Sequence, residues 1–322
     1  MKTIPGLSLV NEDLALVESK MREAPHENIE PLATALDVIL SSGGKRLRPA
    51  LALLTSHFYH PPGDKVISLA AAVEMLHTAT LVHDDLIDNA LLRRGNPTLN
   101  AVWSPGATIL TGDFLFAWAA NLAAQTENVR VMNIFAQTLM VICSGELRQL
   151  FRRSWREQTR EDYDRRIYAK TASLFAAATE SAAVLVGALK PEVQALRDYG
   201  QQLGMAFQIV DDVLDFVGSP KEMGKPVGSD MRQGIVTLPT LHYLEQHPDD
   251  ELLAQIFEGR QADNPIIEAA VTRIRQAGAV ETAMDEARAY VKRAQAALTS
   301  FPANGIRQVM LDLADFVVQR RT

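Results

Sequence analysis

Apolar residues recur at three-to-four spacing through most of this 322-residue chain, and strand-like alternation is scarce. That period lays an apolar stripe along one side of a helix, and each stripe has to be buried against another element. The spacing predicts helices near Glu12–Glu23, Ile29–Ser41, Pro49–Phe58, Lys65–Asn89, Ala107–Thr126, Val129–Ser154 and Arg160–Gly187. It predicts further helices near Pro191–Val217, Thr237–Glu245, Asp249–Gly259, Pro265–Gln276, Val280–Thr299 and Gly305–Arg320. Turn chemistry separates them at Ser42-Gly43-Gly44, His60-Pro61-Pro62-Gly63, Arg94-Gly95-Asn96-Pro97 and Gly218-Ser219-Pro220. No Gly-, Ser- or Pro-rich linker divides the chain and no repeat of fixed period is visible. The expectation is a single all-α domain over residues 1–322, a large bundle with its longest helices in the central layer.

Composition narrows the classes of function. Hydrophobic residues make up 47% of the chain, enough for a sizeable core, and 32 Lys+Arg against 39 Asp+Glu give a net charge of −7. That balance argues against a basic nucleic-acid binder. Cys143 is the single cysteine, which removes an intramolecular disulfide framework and a Cys-rich zinc site. Its neighbours Val141 and Ile142 predict a small buried hydrophobe. The N-terminal residues lack the apolar core of a signal peptide. The apolar stretches read as too short or too interrupted for a bilayer span of ~20 residues. A cytoplasmic protein without a membrane span is expected.

Two acidic clusters carry the chemistry. Asp84-Asp85-Leu86-Ile87-Asp88 recurs as Asp211-Asp212-Val213-Leu214-Asp215, each time inside an apolar helix. Residues four apart share a helix face, so Asp84 points with Asp88 and Asp211 with Asp215. Crowded carboxylates repel, and in an apolar setting they demand a cation. Oxygen-only ligands suit Mg²⁺, which completes its shell with water and substrate phosphates. The EF-hand spacing is absent, which disfavours a calcium loop. A solvated acidic face is the plainer reading of one such cluster; the duplication speaks against it.

Cations for phosphate stand near both clusters. Arg93-Arg94-Gly95 follows the first closely, and Gly43-Gly44-Lys45-Arg46-Leu47-Arg48-Pro49 precedes it. His77 lies two helical turns before Asp84, and Lys170-Thr171 sits in a third long helix. Taken singly, each reads as a surface charge, a basic turn or a core histidine. Together they predict sites for more than one phosphate group. From Gly218 to Thr237, Lys221, Lys225 and Arg232 lie among Gly218, Gly224, Gly228 and Gly234 with little apolar periodicity. That stretch is either an ordinary surface loop or a flexible lid carrying cations to an anionic ligand.

The order of these motifs, with Phe207-Gln208-Ile209-Val210 before the second cluster and Gly224-Lys225-Pro226 and Gly228-Ser229-Asp230 after it, resembles the trans-polyprenyl diphosphate synthases. The match runs from about Gly43 to Pro239. It implies the isoprenoid synthase fold with a central active-site cavity, and head-to-tail condensation of an allylic diphosphate with isopentenyl diphosphate. It implies three Mg²⁺ ions, two held by Asp84 and Asp88 and the third by Asp211, with Asp85, Asp212 and Asp215 acting directly or through water. Arg93, Lys170 and Lys225 would clamp the leaving diphosphate. Isopentenyl diphosphate would sit in a metal-free basic pocket of Lys45, Arg48, His77 and Arg94. The Thr171 carbonyl and Gln208 amide would offer oxygen dipoles to the allylic cation. Short-chain relatives place a bulky aromatic one turn before the first cluster, where Ala79 and Thr80 stand here. A product beyond four isoprene units is therefore expected, with a short-chain synthase as the alternative. A homodimer through helices around Ala107–Ser154 is expected as well. Many relatives carry a lysine where this chain has Ile235.

Three other readings compete. A helical metal phosphohydrolase built on His83-Asp84 would need further His ligands and leaves the second cluster idle. A terpene cyclase normally lacks a second full aspartate motif. A non-catalytic partner subunit should have lost aspartates that are intact here.

Overall fold

The helices follow the apolar stripes closely in the computed structural model, which describes residues 7–24, 29–41, 44–93, 95–151, 154–218, 226–258 and 263–320. After a 3₁₀ turn (Leu7–Val10) come α1 (Asn11–Arg22), α2 (Glu30–Ser41), α3 (Leu47–His57) and α4 (Asp64–Ile87). A two-stranded hairpin follows, β1 (Leu92–Arg93) and β2 (Asn96–Pro97), then α5 (Leu99–Val102), α6 (Pro105–Ala124) and α7 (Val129–Leu150). Next are α8 (Arg160–Ile167), a π-turn (Tyr168–Ala172), α9 (Ser173–Leu185) and α10 (Lys190–Val217). The chain closes with α11 (Ser229–Arg232), α12 (Leu238–Gln246), α13 (Glu251–Phe257), α14 (Asn264–Gln276), α15 (Ala279–Ala297) and α16 (Gly305–Gln319).

Two compact units are present. The first gathers Met1–Thr138, Leu174–Gly200 and Phe301–Met310; the second gathers Leu139–Ser173, Gln201–Ser300 and Leu311–Thr322. The chain passes from one to the other inside α7, α9, α10 and α16 and once in the turn between α15 and α16.

In the first unit α4 is the core helix. Leu69, Val73, Met75, Leu76 and Ala79 on it are all buried, each large aliphatic contributing about 1.5–3 kcal/mol. It packs against α6, α3 and α1. Gly112 on α6 permits the closest approach: a Cβ there would stand 2.2 Å from His83 Nε2. Ser104 caps α6, its hydroxyl accepting from the Ala107 N–H, with Pro105 opening the helix.

In the second unit α12 packs on α15, α14 and α8. A capping box starts α8: Thr159 Oγ1 accepts the Asp162 N–H (3.1 Å) and Asp162 Oδ2 accepts the Thr159 N–H (3.2 Å). Asp250 caps α13 through the Leu252 and Leu253 amides (2.9 and 3.0 Å).

Several features depart from the periodicity reading. The segment read as one helix from Arg160 to Gly187 is interrupted by the π-turn, which a 3.6-residue apolar period cannot signal. Of the turn read at 94–97, Asn96 and Pro97 form one strand of a hairpin that pairs Leu92 with Pro97 and Arg93 with Asn96, with Gly95 at φ +81°. Cys143 is exposed rather than buried, because Val131, Phe135, Thr138 and Ile142 form the buried stripe of α7 and Cys143 sits one residue round from it. Helices α4 and α6 are also long and apolar enough to cross a membrane by length and composition, which corrects the expectation that no stretch qualifies. The apolar window of α4 is 78% buried inside the protein and that of α6 44%. For α4, protein burial rather than lipid accounts for its hydrophobicity.

Candidate active site

The first unit carries one aspartate set at the end of α4. Asp88 is the C-cap, its N–H donating to the Asp84 carbonyl (2.8 Å). Asp84 is half-buried and Asp88 exposed. The helix dipole places partial negative charge at this pole, and no basic residue stands in the last turn. Two carboxylates add to that potential, so the pole favours a bound cation.

Asp85, one residue round the helix, is buried and does something else. Arg93 clamps it, Nε reaching both carboxylate oxygens (2.9 and 3.0 Å) and Nη2 reaching Oδ1 (2.7 Å). The hairpin thus folds Arg93 back onto the aspartate set. His83 also turns from the cluster: its Nε2 lies 3.1 Å from the Ile109 carbonyl and its ring 5.1 Å from that of Phe116. A metal dyad of His83 with Asp84, the basis of the phosphohydrolase reading, finds no support in that placement.

Lys45, Arg48 and His77, which the sequence reading groups as a basic pocket, belong to the first unit. Lys45 and Arg48 are half-buried, with the Arg48 guanidinium carbon 4.8 Å from the Phe175 ring centroid. His77 and Thr80 are half-buried on α4, and the Thr80 hydroxyl donates to the His77 carbonyl (2.7 Å). Ala79, Leu76 and Val73 are instead closed into the core. The partly open face of α4 therefore runs through Asp84, Leu81, Thr80 and His77. Arg94 and Lys225 lie outside the described residues, as does the 219–225 part of the stretch read as a lid; its remainder includes α11 with Met231 buried.

The second unit holds the other set at the end of α10. Asp211 keeps 47% of its side-chain surface exposed and takes a hydrogen bond from Arg320 Nη2 (3.2 Å). The same nitrogen donates to the Phe207 carbonyl (2.7 Å), and the guanidinium lies 3.9 Å over the Phe207 ring. Asp215 is buried and accepts the backbone N–H groups of Ser229 and Asp230 (3.2 and 3.1 Å), which anchors the start of α11. Asp212 is buried too, taking hydrogen bonds from Gln208 Nε2 (2.9 Å) and the Tyr163 hydroxyl (2.8 Å). Gln208 Oε1 in turn accepts from the Thr171 hydroxyl (2.6 Å). Burial pushes the Asp212 carboxyl up to about 6 against the pull of Arg166, Gln208 and Tyr163. Burial beside Asp212 drives the Tyr163 hydroxyl well above its ordinary value, which keeps it a donor.

Lys170 and Thr171 occupy the π-turn, where one wide turn disturbs the regular carbonyl ladder. The Lys170 ammonium lies 3.3 Å from Glu146 on α7. Glu146, Tyr163 and Arg320 were not singled out from the sequence. Each reaches the site from another element, and nothing in its local sequence announces the partner.

Of six motif aspartates, then, Asp85, Asp212 and Asp215 are buried in protein contacts, while Asp84, Asp88 and Asp211 retain solvent access. Among the described residues, no three His, Cys, Asp or Glu side chains stand together as a ready-made metal cage. Carboxylate oxygens are the donor type that a hard divalent cation takes, with water and phosphate able to complete its shell.

Known proteins resemble this chain over nearly its whole length. The sequence profile described as "Polyprenyl synthetase" matches residues 29–274. The chain is 37% identical over 320 residues to heptaprenyl diphosphate synthase component 2 of Geobacillus stearothermophilus, covering 99% of each chain. It is 34% identical to octaprenyl diphosphate synthase of Escherichia coli K12, covering 97% of each. Polyprenyl synthase from Caulobacter crescentus CB15, solved in complex with calcium and isoprenyl diphosphate, superposes with a TM-score of 0.93 at 37% identity. That match covers 98% of this chain and 97% of the other. The chain belongs to the polyprenyl synthetase family of prenyltransferases, with the all-α isoprenoid synthase fold.

Proposed function

We propose that this protein condenses an allylic diphosphate head-to-tail with isopentenyl diphosphate and makes a product longer than four isoprene units. The observation that carries the reading is the difference in burial of the motif aspartates: Asp84, Asp88 and Asp211 retain solvent access while Asp85, Asp212 and Asp215 are buried. The reaction must break a C–O bond to leave an allylic cation and a diphosphate. The isopentenyl double bond then forms the new C–C bond with that cation, and the proton lost from the condensed product goes to the released diphosphate. Mg²⁺, three ions in the full complex, supplies positive charge to the leaving diphosphate. Asp84 and Asp88 would hold two of these ions and Asp211 the third; Asp85 and Asp212, fixed by Arg93 and by Tyr163 with Gln208, keep the helix ends in place.

Lys170, Arg93 and Lys225 bind the same leaving group, so the charge that grows on it meets donors already in place. Glu146 orients Lys170. Lys45, Arg48, His77 and Arg94 bind isopentenyl diphosphate without metal, which suits the group that must stay attached. The Gln208 amide oxygen, oriented by Thr171, and the carbonyls of the π-turn face the allylic cation as oxygen dipoles. An apolar surround keeps water from quenching the cation. The long product is supported by the hepta- and octaprenyl relatives and by the small side chain of Thr80 on the partly open face of α4.

We infer further that the two units work as one catalytic domain and that the protein acts as a cytoplasmic homodimer. The exposed Ile109 and Leu110 of α6 and Met140 and Leu147 of α7 support the dimer. The decisive experiment is mass analysis of products from farnesyl and labelled isopentenyl diphosphates with Mg²⁺. Label in chains beyond four isoprene units is the expected result. Failure to incorporate label overturns the reaction, and arrest at geranylgeranyl diphosphate overturns the product length.

A further inference from the structure

Arg46 lies inside the basic turn Lys45-Arg46-Leu47-Arg48, but its guanidinium points into the protein. Nη1 donates to Glu74 of α4 (2.8 Å), Nε to Glu18 of α1 (3.1 Å) and Nη2 to the Leu40 carbonyl in the last turn of α2 (3.0 Å). One side chain, 13% exposed, therefore joins three helices at the entrance to a fourth. The backbone pays for this: Arg46 adopts φ +47°, a left-handed conformation that costs a non-glycine residue roughly 1 kcal/mol or more. Glu74 is equally unusual, a carboxylate with 7% of its side chain exposed in the core helix. Such a group is tolerated only when paired.

The placement of this pair links the elements of one substrate pocket. Lys45 and Arg48 flank Arg46 in the turn, and His77 stands one helical turn after Glu74 on α4. We propose that Arg46 is a positioning residue for isopentenyl diphosphate: by locking the turn to α4 through Glu74, it holds the turn cations and His77 at the separation one diphosphate requires. The proposal rests on the assignment of that pocket above. Arginine suits the task because its planar fork reaches several acceptors in fixed directions, whereas lysine presents a single flexible charge.

The test measures isopentenyl diphosphate binding by calorimetry without metal, the KM of each substrate, and the Tm, for wild type and three variants. Arg46→Lys keeps a cation near Glu74 but cannot hold all three acceptors. Arg46→Met with Glu74→Met removes the buried carboxylate together with its partner, so the fold is spared an unpaired charge. Both should raise Kd and KM for isopentenyl diphosphate about tenfold, with the KM of the allylic substrate within about twofold. A merely structural staple gives a different pattern: a lower Tm for Arg46→Lys with both KM values unchanged, or equal loss for both substrates. Either pattern, or wild-type affinity in the double variant, overturns the proposal. Lys45→Ala separates the two levels. If it leaves isopentenyl diphosphate affinity intact, the pocket assignment falls and the proposal with it. If it weakens binding while the Arg46 variants do not, the positioning role alone falls.

Discussion

At the residue scale, identical letters in a motif do different work. Asp84 and Asp85 are neighbours in sequence, yet one is half-buried at the helix end and the other is buried and clamped by Arg93. Asp84→Ala and Asp211→Ala should each lower kcat by at least about 100-fold with the Tm nearly unchanged, since each takes an accessible charge from a crowded pole. Near-normal turnover in Mg²⁺ for either would remove it from the metal set. Asp212→Ala should instead cost stability as well as activity, because it strands Tyr163 and Gln208 without their buried acceptor. The two cation groups should separate in steady-state kinetics: Lys45→Ala raises the KM for isopentenyl diphosphate, and Lys170→Ala chiefly lowers kcat. The reverse pattern would mean that the two diphosphate sites are exchanged. Product length should respond at Thr80 rather than Ala79. Thr80 is half-buried beside His77, so Thr80→Phe shortens the product as read by mass spectrometry. Ala79 has no exposed surface, and Ala79→Phe should lower stability by about 1–3 kcal/mol through overpacking.

At the element scale, the second unit is tied together by a cluster away from the site. Glu286 on α15 accepts from Arg160 at the start of α8 and from His242 Nε2 on α12 (2.7 Å), while Arg160 also reaches Asp164 (3.0 Å). Burial pushes the Glu286 carboxyl up, but the His242 and Arg160 hydrogen bonds outweigh it and hold it down at about 2. The hydrogen bond to Glu286 outweighs burial at His242 and raises that imidazole above its ordinary 6.5. The two shifts define a window. The His242 contribution is fully present below pH 6.5 and is lost as pH rises through the raised value; that of Glu286 is present above its ordinary 4.5 and is lost as pH falls toward about 2. His242→Gln should lower Tm by roughly 2–4 °C at pH 6, for about 1 kcal/mol after discounting partial exposure, and by much less at pH 9. A deficit that is the same at both pH values would show that the His242 charge contributes nothing.

At the scale of the whole molecule, α6 has an exposed apolar edge, with Leu110 69% and Ile109 45% exposed. Light scattering should give twice the 35.4 kDa chain mass for the wild type, and Leu110→Asp should move it toward a single chain. An unchanged mass for the variant would place the interface elsewhere. Most of the helices were legible from periodicity alone, because a helix must bury its stripe wherever it packs. The six aspartates, the basic turn and Lys170-Thr171 were legible as well, because clustered like charges in apolar helices have few explanations. Which aspartates remain accessible was not legible: Arg93 reaches Asp85 only through the hairpin, Asp215 is taken up by amides fourteen and fifteen residues on, and Tyr163 finds Asp212 across 49 positions. The π-turn beneath Lys170 and the outward face of Cys143 leave no periodic trace either. Sequence determined what depends on near neighbours along a helix, namely its period, its caps and the charges it carries. Tertiary structure alone decided which of those charges meet a partner, because hydrogen bonds are directional and short and their partners come from distant parts of the chain.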